Sequence, residues 1–193
     1  MAAKSTLGNM ALCLTAVCLI CAAILGGVYA LTFNPIQEAS QKALESSIKV
    51  VLPQGGELSE AFEAESEGQT FQYYTLTDGD EVTAYAVKST TIGFGGPLTL
   101  MVGVTTDGVV YNTSVLSHSE TPGLGAKCTE PKFHDQFAGW NPSEKTLVVK
   151  KDGGDVDAIT ASTITSRAYT LAVANAVKVS MILNANNGGQ DNE

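Results

Sequence analysis

The chain is poor in cations. Its 193 residues hold 11 lysines and arginines against 20 acids, for a formal net charge of −9, and Arg167 is its one arginine. That balance argues against nucleic acid or an anionic lipid surface as a main partner. Histidine is scarce as well, with only His118 and His134. His118-x-Glu120 brings together two metal-ligand types, but no third ligand is spaced to join them, so no metal is expected. Of four cysteines, Cys13, Cys18 and Cys21 fall in the first apolar segment and Cys128 stands alone beyond it. An internal disulfide framework and a Cys-x-x-Cys pair are thereby excluded from the rest of the chain. Cys18 and Cys21 have that spacing, but within an apolar run thiols serve as small hydrophobes. No acid–base pair, activated nucleophile or substrate pocket is evident.

Charge is missing altogether between Lys4 and Glu38. The apolar heart, from about Met10 to Phe33, is long enough to cross a ~30 Å hydrocarbon core as a helix. A secretory signal cut after Val28-Tyr-Ala30 is the rival reading, and the run exceeds the usual 7–15-residue signal core. With Lys4 before the span and the acids after it, the positive-inside rule puts the N-terminus in the cytoplasm and the bulk outside.

Beyond the span, Ile36 to Leu52 reads as a helix leaving the membrane, with Ile36, Ala39, Ala43, Ser47 and Val50 on one side, ended by Pro53-Gln-Gly-Gly56. The acidic stretch from Glu57 to Gly68 reads as a solvated connection. Aromatic and β-branched residues then predict strands over Thr70–Thr77 and Val82–Thr90, joined at Asp78-Gly-Asp80. A second hairpin is expected over Leu98–Thr105 and Val109–Ser117, and a last strand over Thr146–Lys150. The fold class expected is α+β: one N-terminal transmembrane helix, then a largely antiparallel sheet with packed helices. The expected organisation is a cytoplasmic stub and span (1–34), a helical and acidic connector (35–69), one folded domain (70–187) and a polar tail (188–193).

Three motifs carry chemistry. Asp157-Ala-Ile-Thr-Ala-Ser-Thr-Ile-Thr-Ser-Arg167 holds five hydroxyls in eleven residues and opens onto a helical pattern from Ala168 to Leu183. Hydroxyls and an aspartate there can cap free N–H groups, and a helix start also seats phosphate. Gly93-Phe-Gly-Gly-Pro97 is glycine-rich, but a strand rather than a helix follows, so it fails as a dinucleotide fingerprint. Ser117-His-Ser-Glu-Thr-Pro-Gly-Leu-Gly125 offers glycines for close backbone approach, an apolar Leu124 and a hydrogen-bonding Thr121.

All three resemble motifs of the FMN-binding domain family shared by the RnfG and NqrC subunits of ion-translocating oxidoreductases. The first is similar to the family's Asp-x-x-(Ser/Thr)-Gly-Ala-(Ser/Thr)-x-Thr, in which the last hydroxyl of the first cluster carries FMN through a phosphoester bond. The resemblance implies covalent FMN on Thr163, with Asp157, Thr160, Ser162 and Thr165 completing the motif. Ala161 replaces the usual Gly and argues against a strongly positive φ there; Ser162 replaces the usual Ala and adds a competing hydroxyl. Glu120, Thr121, Leu124 and Gly125 would lie along the flavin ring and its polar edge. Lys150, Lys151 or Arg167 could face the phosphate, the two lysines ranking second. A flavin transferase using FAD would make the link, and the partners would be the other subunits of an Rnf complex in a bacterial inner membrane. That complex couples ferredoxin and NAD redox chemistry to Na⁺ or H⁺ movement. The resemblance therefore implies an electron-carrying subunit of a translocase. An NqrC-like subunit of a Na⁺-translocating NADH:quinone reductase is the runner-up, and a redox-inert membrane-anchored binding module is the alternative of another class.

Overall fold

A computed structural model of the protein describes residues 6–79 and 81–187. Lys4, Asp80 of the expected turn and the polar tail 188–193 lie outside the described residues. The chain divides into two compact units, Met1–Ala43 and Leu44–Glu193.

The first unit belongs to a single helix, α1, which runs Leu7–Val51 without a break. Long side chains from Leu7 to Ile36 are exposed along it, and the helix is long and apolar enough to cross a membrane. Pro35 lies inside it. Proline lacks the N–H that would bond the carbonyl four residues back, yet the helix continues from the apolar run into the stretch beyond it.

In the second unit the strands are β1 (Glu57–Leu58), β2 (Phe62–Ser66), β3 (Gln69–Asp78), β4 (Glu81–Ile92), β5 (Pro97–Thr105) and β6 (Val110–His118). They form one antiparallel sheet ordered β1-β3-β4-β5-β6, with β2 also paired to β3. The expected connection between Glu57 and Gly68 is thus part of the sheet. Glu63 and Glu65 stand on exposed positions of β2, and its charges hid a half-solvated strand from a reading by composition. Conversely, Thr146–Lys150 is not a strand. It makes one isolated bridge, Val149 to Val156, before a 3-10 turn at Lys150–Asp152.

Side-chain alternation splits the sheet into two buried faces. Tyr85, Val87, Leu98, Leu100, Val102 and Val104 point to one face. There they meet α3 (Thr163–Asn187) through Tyr169, Ala172, Val173, Ala176 and Val177, a 3–4-residue spacing. Phe133 of the short helix α2 (Pro131–His134), Phe137 and Trp140 join the same core. On the opposite face Tyr74, Leu76, Ala84, Ala86 and Met101 pack on Ile48, Val51 and Leu52. Ser114 Oγ also donates to Ser47 Oγ at 3.1 Å. The buried side of α1's last turns is Ser47, Ile48 and Val51; of the expected stripe only Ser47 lies on it, while Ile36 and Val50 are exposed. By length and composition α3 would also span a membrane, but half of it is buried in this core.

Candidate functional site

The five hydroxyl residues at the start of α3 are placed differently. Ser162 precedes the helix, and its carbonyl accepts the first helical bond, from Ser166 N–H at 3.0 Å. Ser166 Oγ donates to that same carbonyl at 3.0 Å and accepts Ile159 N–H at 2.9 Å, which folds residues 159–162 over the helix start. Thr165 Oγ1 donates to Glu120 Oε2 at 2.8 Å. Thr163 Oγ1 accepts from Lys151 Nζ at 3.0 Å. Thr160 is exposed.

Ala161 has φ 62°, in the left-handed region. The expectation that alanine excludes a positive φ here is overturned. Ala161 is the third residue of the turn bonded from Ser162 N–H to Ile159 C=O, the position at which a type II turn takes a positive φ.

Glu120 is the knot of the site. It is buried, and its carboxylate takes Phe94 N–H at 2.8 Å on Oε1 and Thr165 on Oε2. Its own N–H donates to His118 Nδ1 at 3.2 Å, so both members of the His118-x-Glu120 pair are used within the fold. Two glycines make room for this carboxylate. A Cβ on Gly93 would collide with Oε1; one on Gly125 would collide with Oε2 and stand 2.6 Å from Thr165 Oγ1. Room for the Glu120–Thr165 pair is thus a reason for Gly125 that the expectation of a flat ring did not include.

These contacts draw the three motifs around one open cavity of about 340 Å³. Of the residues singled out in the sequence, Glu120, Thr121, Leu124, Gly125, Ser162, Thr163 and Thr165 line it, together with Phe94, Ala161 and Ile164. The last three lie outside the expected set. Phe94 was legible as the one aromatic in a glycine turn, and Ile164 as the one large aliphatic residue among the hydroxyls. Phe94 and Ile164 are 68% and 48% exposed and Leu124 44%, so the mouth is apolar while Glu120, Ser162 and Thr165 are buried polar groups of the floor. Asp157 and Thr160 lie apart, on a neighbouring cavity with Lys127 and Gln136. There the Asp157 carboxylate accepts from Lys150 Nζ at 2.8 Å, and its N–H donates to Gln136 Oε1 at 2.8 Å.

Of the three cations, Lys150 is held by Asp157, and Arg167 reaches Asp152 through Nε and Nη2, both at 2.6 Å. This pair holds the Asp152 carboxyl below, and the guanidinium above, its usual range. Of the three side chains, Lys151 is the one that hydrogen-bonds the Thr163 hydroxyl. Trp140 and Phe137 belong to the core, away from the cavity. Among the described residues no group of three His, Cys, Asp or Glu stands close enough to hold a metal ion.

Apolar flanks, a polar floor and a hydroxyl at a helix start suit a planar aromatic ring with a polar edge and a phosphate tail. Comparison with known proteins agrees. The FMN-binding domain model matches residues 93–178, and the RnfG N-terminal region model matches residues 1–51. The G subunit of the proton-translocating ferredoxin:NAD(+) oxidoreductase complex of Clostridium ljungdahlii is 33% identical over 166 residues, 86% of each chain. The G subunit of an ion-translocating oxidoreductase complex from Methanosarcina acetivorans is 33% identical, over 82% of this chain and 88% of that one. Among solved structures, the C subunit of the Na(+)-translocating NADH-quinone reductase of Parabacteroides distasonis aligns with a TM-score of 0.48 and 23% identity, over 66% of this chain and 77% of that one. With relatives of that identity matched over most of their length, the chain belongs to the RnfG family, the G subunits of ion-translocating oxidoreductase complexes.

Proposed function

We propose that this protein is the membrane-anchored electron-transfer subunit of an Rnf complex and carries FMN through a phosphoester to Thr163 Oγ1. In this reading the complex moves electrons between ferredoxin and NAD and drives Na⁺ or H⁺ across the membrane. The observation that carries the reading is the position of Thr163: at the mouth of the cavity, on the first residue of α3, with Lys151 on its oxygen.

When bound, flavin supplies one- and two-electron redox chemistry, which this chain's own side chains lack. The residues do the holding. Phe94, Leu124 and Ile164 would cover the apolar ring, and Thr121 and the backbone at Gly125 would meet its polar edge. Glu120 keeps the glycine turn and α3 in register, so the cavity keeps its shape. The free N–H groups of the first helical turn and Lys151 oppose the phosphodiester charge in a chain already at −9.

A covalent link fits an outward-facing domain. Noncovalent association costs an estimated ~4–15 kcal/mol in lost translational and rotational freedom, and no cytoplasmic flavin pool would refill the site there. The orientation rests on the positive-inside rule, and attachment on a separate transferase that uses FAD.

The experiment is intact-protein mass spectrometry of the full chain, coexpressed with a flavin transferase, with in-gel fluorescence after denaturation. One FMN-sized increment is expected, lost in Thr163→Val and kept in Ser162→Ala. A folded, colourless wild-type chain without added mass would leave the redox-inert binding module standing instead.

A further inference from the structure

Residues 150–152 carry three successive charges, and each has its own partner. Lys150 holds Asp157, Asp152 holds Arg167, and between them Lys151 Nζ donates to Thr163 Oγ1 at 3.0 Å. Among the described residues Lys151 forms no ion pair with a carboxylate. The 3-10 turn directs the three side chains apart, and Lys150 N–H to Val156 C=O at 2.8 Å fastens its base. Thr163 and Arg167 are four residues apart in α3 and so share a face. The Arg167–Asp152 pair thus brings Lys151 to that face at Thr163. Of the neighbouring hydroxyls, Ser162 is buried, whereas Thr163 is partly open.

We propose that Lys151 is the positioning residue for flavin attachment: it selects and orients the Thr163 oxygen, and afterwards pairs with the phosphodiester formed there. This rests on the reading of Thr163 given above. In the transfer, Thr163 Oγ1 attacks the flavin-side phosphorus of a flavin adenine dinucleotide. An Oγ1–P bond forms and the P–O bond of the pyrophosphate bridge breaks. AMP leaves with the bridging oxygen, the hydroxyl proton passes to a base of the transferase, and nothing is oxidised or reduced. Lys151 acts as a donor throughout. It holds one lone pair of the nucleophile, then faces an oxygen of the new phosphodiester, where an ion pair replaces a hydrogen bond to an uncharged hydroxyl.

The test follows the fraction of full-length chain that gains an FMN-sized mass after induction of the transferase, with thermal melting to confirm folding. Lys151→Met should load roughly tenfold more slowly or worse, the scale of a lost hydrogen bond to a charged group. Lys151→Arg should recover most of the rate. Lys178→Met, which removes a cation bound to Glu67 elsewhere, should load like the wild type. Wild-type loading in Lys151→Met overturns the proposal, as does equal loss in the Met and Arg variants. If the wild type itself gains no mass, or gains it on Ser162, the attachment reading fails and takes this inference with it. Loaded wild type with an indifferent Lys151 leaves the attachment reading intact.

Discussion

Thr165 Oγ1 donates to Glu120 Oε2 across 45 residues of sequence, in a buried contact of 2.8 Å. Through the other carboxylate oxygen, Phe94 N–H joins the same group. One side chain therefore ties the glycine turn, the Ser117–Gly125 loop and the start of α3 into a single wall. Glu120→Ala would orphan the buried Thr165 hydroxyl and leave the half-buried Phe94 N–H without its acceptor, at a cost of about 1–3 kcal/mol. Glu120→Gln keeps an acceptor for Phe94 and should lose less than half as much. Denaturant unfolding of the two variants checks the order.

Gly125→Ala should be costly for steric reasons. The new methyl would meet both members of the Glu120–Thr165 pair, which cannot separate without unpairing. Overpacking of this kind costs about 1–3 kcal/mol. We expect a lower melting temperature together with slower or incomplete FMN loading by the transferase. Gly139→Ala, with nothing within contact distance of its Cβ but a φ of 70°, should show the melting loss without the FMN defect.

Ala161→Gly should stabilise the protein. An L-residue in the left-handed region costs roughly 1–2 kcal/mol. Glycine escapes that strain but gives back about 0.5–1 kcal/mol in chain entropy. A net gain near 0.5–1 kcal/mol corresponds to about 1–4 °C in melting temperature for a domain of this size. Differential scanning calorimetry reads it, and an unchanged or lower midpoint would show that the strain is absorbed elsewhere.

Cys128 gives a signature at alkaline pH. Burial, then the nearby Glu120 carboxylate, pushes its thiol up to about 11. The folded pKa is raised, so this contribution is complete below the ordinary thiol range and is lost as pH climbs through about 11. Unfolding free energy should fall by roughly 2–3 kcal/mol across that window, and Cys128→Ala should flatten this part of the profile. A thiolate-directed reagent at pH 8 should spare Cys128 in the native protein and label it once unfolded, as peptide mass spectrometry would show.

Much of this was legible in the chain. β3 to β6 follow their apolar alternation to within a residue or two, and α3 follows its 3–4-residue spacing. Short motifs named most of the cavity lining because each sits where strand or helix ends. The misses have physical causes. Glu63 and Glu65 made an edge strand look like a loop, and the end of the apolar run near Phe33 made one helix read as two stretches. Val148 and Val149 made a bridge look like a strand, although Gly153 and Gly154 turn the chain at once. Nothing in the chain's order told Lys150, Lys151 and Arg167 apart by partner, because what separates them is the group each one meets in space: Asp157, the Thr163 hydroxyl and Asp152.

The helix that begins at Thr163 buries Tyr169, Ala172, Val173 and Ala176 within its next turns, in the centre of the domain. Elements so placed open only when the whole domain unfolds. A redox group fastened to that first residue would share the stillness of the core. Its spacing to neighbouring electron donors would hold from one turnover to the next, and only side-chain torsions and the tether itself would let the ring wander.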